Sequence, residues 1–255
     1  MGLEGRVALV TGGGRGIGKA IALGLAADGA AVAVNYRKDA DAAAAVVAEI
    51  EGKGGRARAY QASVAVLEEV QAMVAQVVAD FGYVDILVNN AGISNRMGLV
   101  ATTTLDDLER VIDTIALGSH HTSQAVLATM RERPRGDIIM ISSNSAITTD
   151  PRTAPYSMAK AAQEVLAFTL AKEEAANGVR ANVVVPGLTN TDLGARVAKG
   201  MGHDDIHEIN PRVALGRVVE PEDVAAMVRF LVSDAAALVT GQRIVVDGGG
   251  LKPAH

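Results

Sequence analysis

Short runs of apolar, β-branched residues alternate along this chain with longer Ala-rich stretches whose apolar positions recur with helical period. That alternation is the pattern of strand, helix, strand in a parallel sheet. It predicts seven strands, near RVALVT (6–11), AVAVNY (31–36), RARAYQA (56–62), DILVNN (85–90), DIIMIS (137–142), RANVVV (180–185) and RIVVD (243–247). Helices are predicted between them over about 16–28, 39–52, 66–81, 105–132, 155–177 and 221–233. Gly29, Gly82 and Gly178 follow three of these as C-terminal stops. The strands are apolar on both faces, as expected where helices cover both sides of a sheet. The predicted class is therefore α/β, a doubly wound parallel seven-stranded sheet flanked by helices. No low-complexity tract or Pro/Ser-rich linker divides the chain, so one domain is expected over 1–255. The one long segment outside this rhythm, 188–219, is expected to be irregular, and an insertion of that length predicts a substrate lid. The heptad-like Ala/Val/Leu stripes at 66–78 and 105–130 read as core or subunit interface, not coiled coil.

Composition narrows the function. At 255 residues and 49% hydrophobic, the chain can bury about three quarters of its unfolded surface. Its 24 Lys and Arg against 29 Asp and Glu, with no long basic block, lack the footprint of a nucleic-acid binder. The absence of cysteine excludes disulfides, thiolate catalysis and Cys-based metal sites, and fits a cytoplasmic address. MGLEGRVALV has no signal-peptide pattern, and no apolar run approaches the ~20 residues of a membrane span.

The first predicted strand runs into TGGGRGIGKAIALGL, with Gly12, Gly16 and Gly18 in GxxxGxG spacing. Glycines between a first strand and a first helix let backbone N–H groups approach a pyrophosphate at the positive helix end. The position at the first strand-to-helix crossing points to a dinucleotide. An NAD site places an acid at the end of the second strand, and an NADP site an arginine. Here that strand ends Asn35, Tyr36, Arg37, Lys38, with Arg15 inside the glycine loop, which favours NADP(H) over NAD(H).

In APYSMAKAA (154–162), Pro155 suits the first position of a helix. Tyr156 and Lys160, four apart, then share a face. Together with TGGGRGIG (11–18), NNAG (89–92), ISS (141–143), PG followed by Thr (186–191) and VDGG (246–249), YSMAK (156–160) gives the chain a resemblance to the short-chain dehydrogenases/reductases that spans nearly its whole length. The resemblance implies a single-domain Rossmann fold and an oxidoreductase transferring hydride between a nicotinamide and a carbonyl or secondary alcohol. It implies Tyr156 as general acid/base, Lys160 lowering its pKa and binding the nicotinamide ribose, and Ser143 orienting the carbonyl. It places Gly12, Arg15, Gly16, Ile17, Gly18, Tyr36, Arg37, Ser63, Asn89, Ala91, Gly92, Pro186, Gly187, Thr189 and Thr191 around the cofactor. The chemistry is sound from below. The alkoxide left by hydride delivery needs a proton, a free phenol has a pKa near 10, and bringing it near 7 takes roughly 4 kcal/mol. A charge ~4 Å away supplies about that much only at an intermediate effective dielectric, so water must be excluded.

Three positions depart from the family's pattern. TIALG (114–118) puts Ile115 where the family usually carries a catalytic Asn, and no Asn lies between 96 and 143. In the family that Asn helps hold a water linking the Lys to solvent. Proton resupply is therefore expected to be rerouted or slow here, and Ile115→Asn to raise turnover. Ser63 stands where many relatives have Asp against the adenine, and Thr189 where an aliphatic residue is common.

The loops expected to face substrate, 93–99, 144–153 and 188–214, contain no aromatic residue but hold Arg96, Arg152 and Arg212 as candidate anion clasps. A small-molecule carbonyl or alcohol is the expected partner, with self-association into a homotetramer (or dimer) through the helices of 105–132 and 155–177. The general likeness is strongest to 3-oxoacyl-carrier-protein reductases, for which Arg131, Arg133 and Arg135 offer a docking face to an acidic carrier. Against this, Asn177 replaces an expected basic residue. A non-catalytic nucleotide sensor or scaffold is the alternative of another class, opposed by retention of Ser143, Tyr156 and Lys160. No metal is expected: HDDIHE (203–208) reads as a charged lid, and the adjacent His120 and His121 diverge on a helix.

Overall fold

The computed structural model describes residues 2–251. Its strands are β1 (Val7–Val10), β2 (Ala31–Tyr36), β3 (Ala57–Gln61), β4 (Ile86–Asn89), β5 (Gly136–Ile141), β6 (Val179–Pro186) and β7 (Arg243–Val246), each at its predicted place. The helices are α1 (Gly16–Ala27), α2 (Ala40–Gly52), α3 (Leu67–Phe81), α4 (Leu105–Ile112), α5 (Gly118–Met130), the single turn α6 (Ser145–Thr148), α7 (Ala154–Glu173), α8 (Asp192–Gly200) and α9 (Pro221–Val232). All seven strands join one parallel sheet in the order β3-β2-β1-β4-β5-β6-β7. The order reverses between β1 and β4, which opens a crevice at the carboxyl ends of the strands.

The five central strands are buried on both sides, while the edge strands β3 and β7 are partly exposed. Ala8, Val10, Val32 and Ile139 pack with Ile21, Leu25 and Val228 on the face covered by α1, α2 and α9. Val7, Leu9, Ile138 and Met140 pack with Val74, Val126 and Leu170 on the face covered by α3, α5 and α7. The Ala/Val/Leu stripes of 66–78 and 105–130 supply core residues: Val70, Met73, Val74 and Val77 from the first, Val126 and Met130 from the second.

Two predicted elements differ. The helix expected over 105–132 is α4 and α5 joined by a π-helical turn, Asp113–Leu117, that contains Ile115. Gly118 follows it because α5 begins against the chain after β3, where a Cβ would stand 2.7 Å from Val64 Cγ2. The expectation that 188–219 is irregular is corrected: it holds α8 and a 3₁₀ stretch, Ile206–Arg212. Thr191 caps α8 by accepting from the Gly194 N–H at 3.1 Å, and Asp205 caps the second piece. Ala198, Ile206, Ile209, Val213 and Val218 give the segment a small apolar core of its own.

Candidate active site

Because the sheet is parallel, every strand delivers its following loop to the same edge. At β1 the loop turns through Gly12 and Gly16 with φ of 61° and 51°, conformations that side chains rarely adopt. A Cβ on Gly18 would lie 2.6 Å from Asn90 Nδ2, so helix and loop meet only as glycine. Two side-chain amides and one hydroxyl fix this turn. Asn35 Oδ1 accepts from the Gly12 N–H at 3.2 Å, and Asn90 Nδ2 donates to the carbonyls of Thr11 and Gly12 at 2.9 and 3.2 Å. Thr11 Oγ1 in turn accepts from the N–H groups of Asn90 and Ala91, both at 3.0 Å. Arg15 makes no side-chain cap on α1, and the first turn, which includes Ile17, carries no acid, so its N–H groups and dipole remain available to an anion. The exposed Arg15 and Arg37 flank this end, with Tyr36 half-buried beside Arg37. The residues present therefore fit a phosphorylated dinucleotide.

Other cofactor-site candidates sit at the same edge in different roles. Asn89 is buried, its side chain bonded to Thr122 Oγ1 at 2.6 Å and Ser123 Oγ at 3.2 Å, so its amide serves the interior. Gly92 lies beside Ile115, and the Ser63 N–H donates to Glu69. Pro186 ends β6, and a Cβ on Gly187 would stand 2.7 Å from Asp247 Cβ, so this turn too admits only glycine. Thr189 donates to the Gly187 carbonyl at 2.9 Å. Thr191 stands over the glycine loop, where a Cβ on Gly16 would approach its Cγ2 to 3.2 Å. Arg15 and Asp192 form an exposed ion pair at 3.5 Å between that loop and the start of α8.

Ser143 follows β5 and Tyr156 lies on α7, with the serine hydroxyl near enough to oppose the rise of the phenol pKa. Lys160 is 3% exposed, with Nζ 5.9 Å from the centroid of the Tyr156 ring. Lys160 donates to the Ile141 carbonyl and to Gln163 Oε1, the latter at 3.1 Å. Burial pushes the Tyr156 phenol up, and the Ser143 hydroxyl opposes it. Burial pulls the Lys160 ammonium down to about 7, opposed by the negative charge of Glu164. Glu164, itself buried, accepts from Ser142 Oγ at 2.6 Å and pairs with Arg243. Gln163 had not been singled out; its only sequence signal is a polar residue in register with the apolar Ala159 and Ala167.

The loops around this trio carry strain. Met97, Thr149 and Arg152, the non-glycine residues with positive φ among those described, all lie on 93–99 and 144–153, as functional loops often do. Met97, Leu99 and Ile147 are exposed there, an aliphatic rim. The candidate clasps are partly engaged: Arg96 pairs with Asp106 at 3.0 Å, and Arg212 is half-buried. The basic run is engaged throughout. Arg131 pairs with Glu174, Arg133 with Asp85, and Arg135 with Asp137 and Asp234. In HDDIHE, His203 precedes the 3₁₀ stretch that carries His207, so the two share no helical face; His203 Nδ1 lies 3.1 Å from Glu208. Among the described residues no group of three His, Asp or Glu could hold a metal, and no helix is long and apolar enough to cross a membrane. A cavity of about 460 Å³ lined by Arg6, Arg56, Phe81 and Tyr83 opens at the amino ends of β1, β2 and β3, away from Tyr156.

The fold, glycine loop and Ser–Tyr–Lys cluster define a nucleotide-dependent oxidoreductase of Rossmann architecture. The family model described as enoyl-(acyl carrier protein) reductase matches residues 12–250. The 3-oxoacyl-[acyl-carrier-protein] reductase of Synechocystis sp. is 44% identical over 248 residues, 97% of each chain, and FabG of Staphylococcus epidermidis is 40% identical over 242 residues, 95% of this chain and 97% of the relative. A short-chain dehydrogenase from Burkholderia cenocepacia, solved in complex with NADP, superposes with a TM-score of 0.89 at 40% identity, covering 97% of this chain and 98% of that one. A blue fluorescent protein from a metagenomic library, in complex with NADPH, has a TM-score of 0.89 at 39% identity and covers 98% of this chain and 99% of that one. The chain belongs to the short-chain dehydrogenase/reductase family, as an oxidoreductase acting on a CH–OH/ketone couple with NAD(P).

Proposed function

We propose that the protein is an NADP(H)-dependent reductase of aliphatic ketones, with 3-oxoacyl thioesters as the substrate class, in which Tyr156 is the general acid/base. The supporting observation is the stacking of Ser143, Tyr156 and Lys160 at the carboxyl edge of the sheet, next to a helix N-terminus open to phosphate. NADPH, when bound, supplies the hydride. Ser143 holds the ketone oxygen, and Tyr156 Oη gives it a proton. A lysine charge 5.9 Å from the ring centroid supplies ~3 kcal/mol at an effective dielectric near 20, about two of the three pKa units needed. The Ser143 hydroxyl also favours the phenolate, and both act against the burial that raises the phenol. Gly12, Arg15, Gly16, Ile17, Gly18, Tyr36, Arg37, Ala91, Gly92 and the turn from Pro186 to Thr191 would hold the cofactor, and 188–219 would close over it.

The thioester class is supported by the names of the curated relatives and by the aliphatic rim of Met97, Leu99 and Ile147. Docking of an acidic carrier on Arg131, Arg133 and Arg135 is not supported, because each is already paired within the chain. A homotetramer is supported by the exposed apolar residues Leu105 at the start of α4, Leu117 in the π-helical turn, and Met158 and Val165 on α7. The test is consumption of NADPH and NADH against simple ketones and 3-oxoacyl thioesters, with Tyr156→Phe as control. Substrate-dependent oxidation that prefers NADPH and falls about 10²–10⁴-fold in the variant is expected. Tight NADPH binding with no turnover on any substrate would favour the sensor reading.

A further inference from the structure

The loss of asparagine at 115 is accompanied by a second unusual feature next to Lys160. Ile115 is fully buried among Val111, Ala159 and the ring of Tyr156, so its side chain offers nothing polar. Its carbonyl, in the π-helical turn, accepts from Ser119 Oγ at 2.6 Å. Ser119 Oγ accepts in turn from Gln163 Nε2 at 2.7 Å, and Gln163 Oε1 accepts from Lys160 Nζ at 3.1 Å. The order is forced by donor count. Ser119 has one hydroxyl proton and donates it to Ile115, so toward Gln163 it can only accept. The Gln163 amide must therefore turn its NH₂ to Ser119 and its oxygen to the ammonium. A second bond from Nε2 to the Asn89 carbonyl, at 3.4 Å, holds the same orientation.

We propose that Gln163 and Ser119 are positioning residues for Lys160 that anchor the lysine beneath Tyr156. The inference rests on the reading of Tyr156 and Lys160 as the catalytic pair. The chain of bonds is not a proton exit: Gln163 and Ile115 are 0% exposed and Ser119 and Lys160 3%. It fixes where the ammonium sits and, by giving it an oriented acceptor, favours its charged form. Removing that acceptor lowers the pH at which Lys160 loses its proton. The groups facing Lys160 are otherwise Tyr156 and Glu164 on its own helix, the Ile141 carbonyl from β5, and Arg243 from β7 acting through Glu164. His121 on α5 faces the Val64 carbonyl instead.

The experiment uses Gln163→Met, which keeps volume and removes all three side-chain hydrogen bonds, in the full chain with NADPH and a ketone that the wild type reduces. Expected is a kcat lower by about tenfold, KM for the ketone within about twofold, an alkaline limb of the kcat–pH profile moved to lower pH, and a protein still fully folded at the assay temperature. Ser119→Ala, which frees the amide to rotate, is expected to move the same limb in the same direction by less, and carries the test if Gln163→Met fails to fold. An unmoved pH profile in both variants overturns the proposal, as does a loss of kcat matched by loss of folded protein. Tyr156→Phe run alongside separates the two claims: if it stays active, the catalytic pair itself is wrong; if it is dead while Gln163→Met is normal, only the anchor is.

Discussion

At the amino ends of the strands the molecule buries charge that is fully answered, while at the carboxyl ends it buries charge that is not. Below β4 and β5, the buried Asp137 meets Arg6 at 2.8 Å, Arg135 at 3.0 Å and Arg180 at 2.5 Å, and the buried Asp85 meets Arg133 at 3.0 Å and the Val7 N–H at 2.9 Å. At the other end of the same sheet Lys160 has only neutral acceptors within hydrogen-bond reach, and its nearest acid, Glu164, is committed to Ser142 and Arg243. The first arrangement gives each buried acid an arginine partner and ties the starts of β1, β4, β5 and β6 together. The second leaves an ammonium that burial has brought down to about 7, within range of a proton-transfer partner. One sheet thus carries a structural electrostatic cluster and a chemical one, and compensation tells them apart.

The contrast is sharpest when each end loses one charge. Lys160→Met is expected to lower turnover about 10²–10⁴-fold while stability is unchanged or rises, since an ammonium without an ion-pair partner leaves the interior. Asp137→Ala is expected to cost about 3–5 kcal/mol in a denaturant titration, because three arginines lose their partner, with turnover per folded molecule retained. A cost below about 1 kcal/mol for Asp137→Ala would break the comparison. Smaller is Arg37→Ala, at the exposed rim of the carboxyl edge: KM for NADPH should rise about tenfold and that for NADH stay put, and equal shifts in both would remove Arg37 from the phosphate site.

The mildest test concerns pH. Glu174, after α7, is held below the usual carboxylate range by its hydrogen bonds from Arg131, against the opposing effect of burial and with help from Asn177. A depressed folded pKa contributes stability above the unfolded value of about 4.5, lost as pH falls through the folded one. Glu174→Gln should therefore lower stability most at neutral pH, where the ionised carboxylate contributes in full, and flatten the acid side of the stability curve below about pH 4.5. An acid limb as steep as the wild type's would assign the loss to other carboxylates.

Much of this was legible beforehand. Seven strands follow from apolar runs, five of them buried on two faces, and the caps at Pro155, Gly82 and Gly178 follow from local backbone rules. Thr191 before DLGARVAKG is also a cap signal, and it marks the helix inside a segment read as irregular. The direction of the Asn89 amide and the pairing of Arg131 with Glu174, Arg133 with Asp85 and Arg135 with Asp234 were not legible, because these partners lie far along the chain.

What the sequence determined by itself is what depends on neighbours along the chain: the alternation of elements, the glycine turn, and Tyr156 and Lys160 on one face of a helix. Only the tertiary structure decided which buried groups answer one another. That the ammonium of Lys160 rests on Gln163, Ser119 and the carbonyl of Ile115, rather than on an acid, depends on α5, the π-helical turn and α7 packing together. Hydrogen bonds between such segments exist only at contact distance, so no local rule encodes them.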